Sequence, residues 1–112
     1  MQGGFAVKDL QTITLLYDVY GPLLTPRQQE LIQAYYLEDL SLAEIAGGDG
    51  VSRQAVHDLI KRAEALLSEY EEKLGFVREY RARQERLSRL AVAVREQDQA
   101  AALAILDELK SE

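Results

Sequence analysis

Residues 41–62 read SLAEIAGGDGVSRQAVHDLIKR, and the fold of the chain follows from this stretch. Ser41, followed three residues later by Glu44, predicts a capping box at the start of a short helix. Ser52 predicts the N-cap of the next helix, and the glycines within 47–50 predict the turn between the two helices. A short helix, a tight turn and a capped helix in this order are typical of a helix-turn-helix.

The apolar residues on either side of that turn have the spacing that the motif requires. Ile45 and Ala46 are expected to pack on Val56 and Ile60, and the small side chain of Ala46 lets the two helix backbones approach closely. The alternative interpretation is an ordinary helical hairpin with no binding role.

The rest of the chain also reads as helical. Glycines and the two prolines, Pro22 and Pro26, separate long segments rich in helix-favouring residues. Thr25, Pro26 and Gln28 predict a further capping box, and Gly75 predicts a break. We therefore expect an all-α protein with helices at 7–19, from 26, from 42, from 52 to 74, at 76–96 and at 99–110.

The apolar positions of each helix recur every three or four residues and predict its buried face. The expected faces are Leu10, Ile13, Leu16 and Tyr17 in the first helix; Leu31, Ile32, Tyr35 and Tyr36 in the second; Leu42, Ile45 and Ala46 in the third; Val56, Leu59, Ile60, Ala63, Leu67, Tyr70 and Leu74 in the fourth; Phe76, Tyr80, Leu87, Leu90 and Val94 in the fifth; and Leu103, Leu106 and Leu109 in the sixth.

A chain of 112 residues is long enough to bury a modest core. We expect a helix-turn-helix domain over 1–75 and a long C-terminal helical extension over 76–112, packed on that domain or on a partner. No basic stretch followed by an apolar run opens the chain, and no apolar run approaches the roughly 20 residues of a membrane span. We therefore expect a cytoplasmic protein that is not inserted in a membrane.

Composition argues against several kinds of site. The chain has no cysteine, which excludes disulfides and thiolate metal sites, and His57 is its only histidine. The glycines of 47–50 lack the lysine and hydroxyl of a phosphate-binding loop. Glu71 and Glu72 are neighbours on a helix and point apart, which does not suit paired acid and base catalysis. We expect neither enzymatic activity nor a cofactor or bound metal.

Charge is distributed unevenly along the chain, whose net charge is −6. Residues 1–72 hold five basic and twelve acidic side chains, a balance of −7. Residues 73–95 hold seven basic and two acidic side chains, a balance of +5, and residues 96–112 hold one and five. Cations are therefore concentrated in one predicted helix, and the guanidinium group of arginine matches phosphate oxygens bidentately.

Two groups of residues are candidates for binding nucleic acid. In the first, Arg53 could pair with guanine and Gln54 with adenine, while Asp58 would repel phosphate. We expect this helix to be mainly structural and the arginine-rich helix to carry most of the affinity. The members of the first group are Ser52, Arg53, Gln54, His57 and Lys61; those of the second are Arg78, Arg81, Arg86 and Arg89.

Two other interpretations of the arginine-rich helix remain open. It could be a surface helix paired to acidic segments of the same chain. It could also use the apolar stripe over 76–94 to form a homodimer or a compact intramolecular hairpin. If it does bind RNA, Tyr80 could stack on an exposed base.

Several of these segments resemble a known family. Three of them resemble region 4 of bacterial sigma factors: LTPRQ at 24–28, LSLAEIA at 40–46 and VSRQAV at 51–56. Three more resemble the YlxM family: LYDVYGPLLT at 16–25, IKRAE at 60–64 and YEEKL at 70–74. The resemblance covers roughly 13–75, and beyond that it extends only to the general character of the chain.

The resemblance implies a small cytoplasmic bacterial helix-turn-helix protein of the signal recognition particle pathway. Binding to the particle's RNA, as an accessory or regulator, is the function that it favours most. A DNA-binding transcriptional regulator is one alternative. A module that binds the particle's GTPase subunit without nucleic acid is another.

The chain departs from the family pattern at one place. Members of the family usually carry an acidic and aromatic turn after the Ile-Ala pair, whereas this chain has Gly47, Gly48, Asp49 and Gly50. Glycine loses more conformational entropy than other residues when it is ordered. We therefore expect the short helix to fray and to hold the second helix of the motif loosely.

Overall fold

The computed structural model describes residues 9–111 and confirms the all-α fold, since helices and no strands occur in that range. The chain divides into two compact units, one ending at Gly75 and the other beginning at Phe76. The helices are α1 (Leu10–Tyr20), α2 (Pro26–Ile32), α3 (Leu42–Asp49), α4 (Arg53–Leu74), α5 (Phe76–Arg95) and α6 (Gln99–Lys110).

Side-chain caps fix where the helices of the first unit begin. Asp9 caps α1, so this helix begins at Leu10, while residues 7 and 8 of the predicted helix lie outside the described range. Thr25 and Gln28 form the predicted capping box of α2, which ends in a π-helical turn over Gln33–Leu37. Each capping box supplies acceptors or donors that the open end of a helix otherwise lacks.

The core of the helix-turn-helix agrees with the sequence prediction. Ile45 and Ala46 of α3 are buried together with Val56 and Ile60 of α4. Leu31 of α2 completes this cluster and is 1% exposed. The three helices therefore share one apolar centre, and the start of α4 is held against α3.

The prediction of a glycine turn over 47–50 was wrong. Helix α3 continues through Gly47 and Gly48 to Asp49, and only Gly50 takes the left-handed conformation, with φ 70°. Arg27 of α2 pairs with the Asp49 carboxylate at 2.5 Å, which ties the last turn of α3 to α2. The expected fraying is therefore opposed by an ion pair across the two helices.

A buried polar contact joins the end of α1 to the end of α4. The Tyr20 hydroxyl donates a hydrogen bond to Oε1 of Glu71 at 2.6 Å, and the Glu71 side chain is 1% exposed. The Tyr20 ring also lies 6.0 Å from that of Tyr70. A carboxylate removed from water costs free energy unless it is hydrogen-bonded, so this contact satisfies a group that is costly to bury.

The second unit is an α-helical hairpin. Gln97 takes a left-handed conformation with φ 59°, and the backbone N–H of Asp98 donates to the Ala93 carbonyl at 2.9 Å. This arrangement ends α5, and the Asp98 side chain then caps α6. The two helices pack against each other, and Ala93 of α5 and Ile105 of α6 are buried.

The predicted buried faces of the last two helices were wrong. Of the α5 stripe, only Leu90 is half-buried, while the residues that are buried are Val77 and Ala93. In α6 Ile105 is buried instead of the predicted leucines. Two residues of the first unit predicted to be buried, Leu10 and Leu74, are exposed as well. The exposed members of the α5 and α6 sets are Phe76, Tyr80, Leu87, Val94, Leu103 and Leu106.

Replacing Tyr20 by Phe should destabilise the protein. The change removes the hydroxyl that donates a hydrogen bond to the buried Glu71 carboxylate. We expect the free energy of unfolding to fall by about 1–3 kcal/mol, measured by chemical denaturation. Tyr80→Phe, at an exposed tyrosine, is the matched control and should stay within about 0.5 kcal/mol of the parent. Equal stability of the two variants would contradict a stabilising role of the buried contact.

Candidate nucleic-acid interface

The first group of candidate residues lies on the first turns of α4. Arg53, Gln54 and His57 line an open groove of about 590 Å³ together with Ser41, Leu42 and Ala43 at the start of α3. The groove is therefore formed by the beginnings of both helices of the motif. In helix-turn-helix proteins this part of the second helix faces the bases.

Asp58 engages two of these candidates. Its Oδ1 accepts a hydrogen bond from Nε2 of Gln54 at 2.8 Å and lies 3.3 Å from Nδ1 of His57. The hydrogen bond from Gln54, followed by the contact with His57, lowers the pKa of Asp58. The carboxylate is thus held in its charged form beside the groove. Its negative charge repels phosphate there. It also accepts a hydrogen bond from the side-chain amide of Gln54, which would otherwise be available to read adenine.

The cations of this surface differ in how they are paired. Within residues 9–111, Arg53 has no ion pair. Lys61 lies 3.3 Å from the largely buried Glu64, which also accepts a hydrogen bond from Tyr36. Burial, followed by the bond to Glu64, raises the pKa of Tyr36. Arg53 is therefore more available for a phosphate or a base than Lys61.

The second group of candidates lies on α5, and its arginines share one side of the helix. Arg78 and Arg81 are three residues apart, and Arg89 follows Arg78 by eleven residues, about three helical turns. Tyr80 projects from the opposite side, because each residue turns the helix by about 100°. The structure therefore separates Tyr80 from the arginines with which it was expected to act.

A single carboxylate of α6 holds two of the four arginines. Nη2 of Arg89 donates to Oε1 of Glu108 at 2.9 Å, and Nε of Arg86 lies 3.6 Å from the same oxygen. Arg78, Arg81 and Arg86 also have interaction partners in the chain. One of the open interpretations of this helix was pairing with an acidic segment of the same chain. That interpretation is confirmed for Arg86 and Arg89.

From the sequence, Asp58 was expected to repel phosphate, but neither its hydrogen bond with Gln54 nor the role of Glu108 was predicted. A carboxylate four residues after Gln54 on a helix is a detectable signal, since residues at that spacing are neighbours. Glu108 has no such local signal, because it is 19 residues from Arg89 and meets it only through the α5–α6 hairpin.

Two other kinds of site are not found in the described part of the chain. No group of three or more His, Cys, Asp or Glu residues in that part could hold a metal ion. None of the helices described there is both long and apolar enough to cross a membrane.

Comparison with known proteins identifies a family. The family model UPF0122, described as "Putative helix-turn-helix protein, YlxM / p13 like", matches residues 7–106. A UPF0122 protein of Symbiobacterium thermophilum is 60% identical over 106 residues, covering 95% of this chain and 99% of that protein. A relative from Geobacillus kaustophilus is 55% identical over 75 residues, covering 67% and 68%. One from Bacillus cereus is 48% identical over 83 residues, covering 74% and 76%. Such a helix-turn-helix family points to nucleic-acid binding in general.

The lowered pKa of Asp58 should depend on Gln54. In the Gln54→Ala variant this pKa should rise towards the ordinary value of about 3.9, because the strongest hydrogen bond to the charged carboxylate is lost. NMR titration of the carboxyl carbon measures it. The pKa of Asp58 is lower in the folded than in the unfolded protein. The charged Asp58 carboxylate therefore contributes to stability above a pH of about 4, and this contribution is lost as the pH falls through the folded-state pKa. Arg53→Ala is the control, and an unchanged pKa in Gln54→Ala would refute the assignment.

Proposed function

Because the chain belongs to the YlxM / p13-like helix-turn-helix family, we propose that it is a nucleic-acid-binding accessory or regulatory protein of the signal recognition particle pathway. Its proposed target is the RNA of that particle, and its proposed location is the cytoplasm. It acts by binding and not by catalysis. The resemblance of its sequence motifs to the YlxM family supports the pathway.

The observation that carries the proposal is the concentration of arginine on α5. Residues 73–95 have a balance of +5 in a chain of net charge −6. Arg78, Arg81 and Arg89 lie on one side of the helix, and the ends of this row are about 16 Å apart along its axis. A row of that length can contact successive phosphates of a nucleic-acid backbone. Phosphate contacts supply most of the affinity in binding that does not depend on base sequence.

RNA fits this row better than a specific DNA site does. Double-stranded RNA is recognised mainly through its shape, its phosphates and its 2′-hydroxyls, which arginines on a helix can contact. Base reading in a DNA groove would instead require Gln54 and His57, which contact the Asp58 carboxylate. The acidic balance of the first unit further opposes its approach to duplex DNA.

A DNA-binding regulator remains the second candidate, and one set of observations favours it. The helix-turn-helix has intact caps on both of its helices, an apolar core and an Arg53 without an ion pair among the described residues. A gel-shift comparison of the particle's RNA with random duplex DNA, at equal salt, separates the candidates. Tighter binding to the RNA supports the proposal. Equal or tighter binding to DNA contradicts it, and binding to neither favours a protein partner such as the particle's GTPase subunit.

Binding to the RNA should be electrostatic. If about four phosphates are neutralised, the logarithm of the association constant should fall with the logarithm of salt concentration with a slope of about −3. The double variant Arg81→Glu, Arg89→Glu should lose about 3 kcal/mol of binding free energy, because two attractive contacts become repulsive. Filter binding or fluorescence anisotropy at several salt concentrations measures both quantities.

The matched control for this experiment is the double variant Arg53→Glu, Lys61→Glu. It changes the net charge by the same amount, but on α4. We expect it to lose only about 1 kcal/mol of binding free energy. Circular dichroism must show that both variants keep the helical signal of the parent. A larger loss of binding free energy in the α4 variant would show that the RNA-binding surface lies on the helix-turn-helix.

Neutralising Glu108 should strengthen RNA binding. In Glu108→Gln the carboxylate that pairs with Arg89 and Arg86 is lost, and the Arg89 guanidinium becomes available to phosphate. We expect about threefold tighter binding at low salt, in line with the modest strength of exposed ion pairs. Asp107→Asn changes the charge equally on the neighbouring residue of α6, for which no ion pair occurs among the described residues. If both variants gain equally, net charge and not release of Arg89 explains the effect.

A further inference from the structure

Helix α5 has two different sides. Phe76, Leu87 and Val94 are spaced by eleven and seven residues, about three and two helical turns, so they project from one side. Tyr80 lies on the same side, one turn after Phe76. All four are exposed, with 41–62% of their surface accessible. The arginine row described above lies on the opposite side.

Helix α6 continues this apolar surface. Leu103 and Leu106 are 54% and 40% exposed. Glu108 meets Arg89 on one side of the hairpin, and the helical positions of Leu103 and Leu106 place them on the other side. The six exposed residues of α5 and α6 therefore form one apolar face on the second unit.

We propose that this face binds a second copy of the chain and that the protein is a homodimer. The face spans the length of α5, about 30 Å, and the width of two helices, about 20 Å. Its projected area of about 600 Å² approaches the roughly 800 Å² per partner that stable interfaces bury. Two such hairpins packed face to face form a four-helix bundle with a core of leucine, valine and aromatic side chains.

Arg83 is the one charged residue of α5 within the apolar face, and it is compatible with such a dimer. A long arginine side chain can lay its methylene groups along an apolar surface while its guanidinium reaches the edge of the interface. Arginine is also enriched in protein interfaces. The opposite side of α5, with its arginine row, remains outside the dimer contact.

The test is the mass of the full chain in solution. Size-exclusion chromatography with light scattering should give twice 12.6 kDa for the parent protein at micromolar concentrations. Leu87→Glu should raise the dimer dissociation constant by about a hundredfold or more, since the twofold axis introduces two buried carboxylates into one interface. Val92→Glu is the matched control, because Val92 is exposed to the same extent, 41%, but projects from the opposite side of α5.

Each outcome of this experiment decides the proposal. A dimeric parent and a dimeric Val92→Glu variant, together with a monomeric Leu87→Glu variant, support it. A parent that is monomeric at about 100 µM overturns it. A dimer that survives Leu87→Glu, or one that Val92→Glu dissociates as strongly, shows that copies associate through a different surface. Circular dichroism and thermal melting confirm that both variants are folded.

Discussion

The close packing of α3 on α4 is the constraint on which the rest of the first unit depends. Ala46 has a small side chain and Gly50 supplies the left-handed residue, so the two helices can approach with only a short turn between them. That approach positions the capped start of α4 beside the start of α3. The groove that contains Arg53, Gln54 and His57 exists only because both helix starts lie side by side.

Local signals in the sequence were sufficient to predict the beginnings and ends of most helices. Thr25 with Gln28, Ser41 with Glu44, and Ser52 each cap a helix through hydrogen bonds between residues three apart. Such contacts need no tertiary structure, so the sequence alone reveals them. The continuation of α3 through two glycines could not be predicted in this way, because the pairing of Arg27 with Asp49 joins residues 22 positions apart.

The buried faces of α5 and α6 were mispredicted for a related reason. An apolar stripe shows that a helix has a face to cover, but it does not show which neighbour covers it. In the hairpin, Ala93 and Ile105 are the buried apolar residues of the facing parts of α5 and α6, while most of the larger apolar residues of the predicted stripes remain exposed. The arginines that were proposed as the binding site could be located from sequence, whereas Glu108, which holds two of them, could not.

Carboxylates restrain both candidate surfaces, but with different consequences. Asp58 belongs to the groove of the helix-turn-helix itself, so any nucleic acid that enters the groove meets its charge. Glu108 lies on a different helix from the arginines that it pairs with, and its exposed ion pairs can be exchanged for phosphate contacts at small cost. Arg89 of the arginine row can therefore become available to a polyanion, while the groove keeps its negative charge.

The apolar face and the arginine row lie on opposite sides of α5, and this arrangement bears on the choice between RNA and DNA. In a dimer joined through the apolar face, two arginine rows point away from each other across a bundle about 20 Å thick. A straight duplex can contact only one of these rows at a time. A folded RNA, whose helical segments lie side by side, can contact both rows within one molecule, and the second contact then gains from a high effective concentration. A dimer of this kind would therefore favour a folded RNA over an extended duplex.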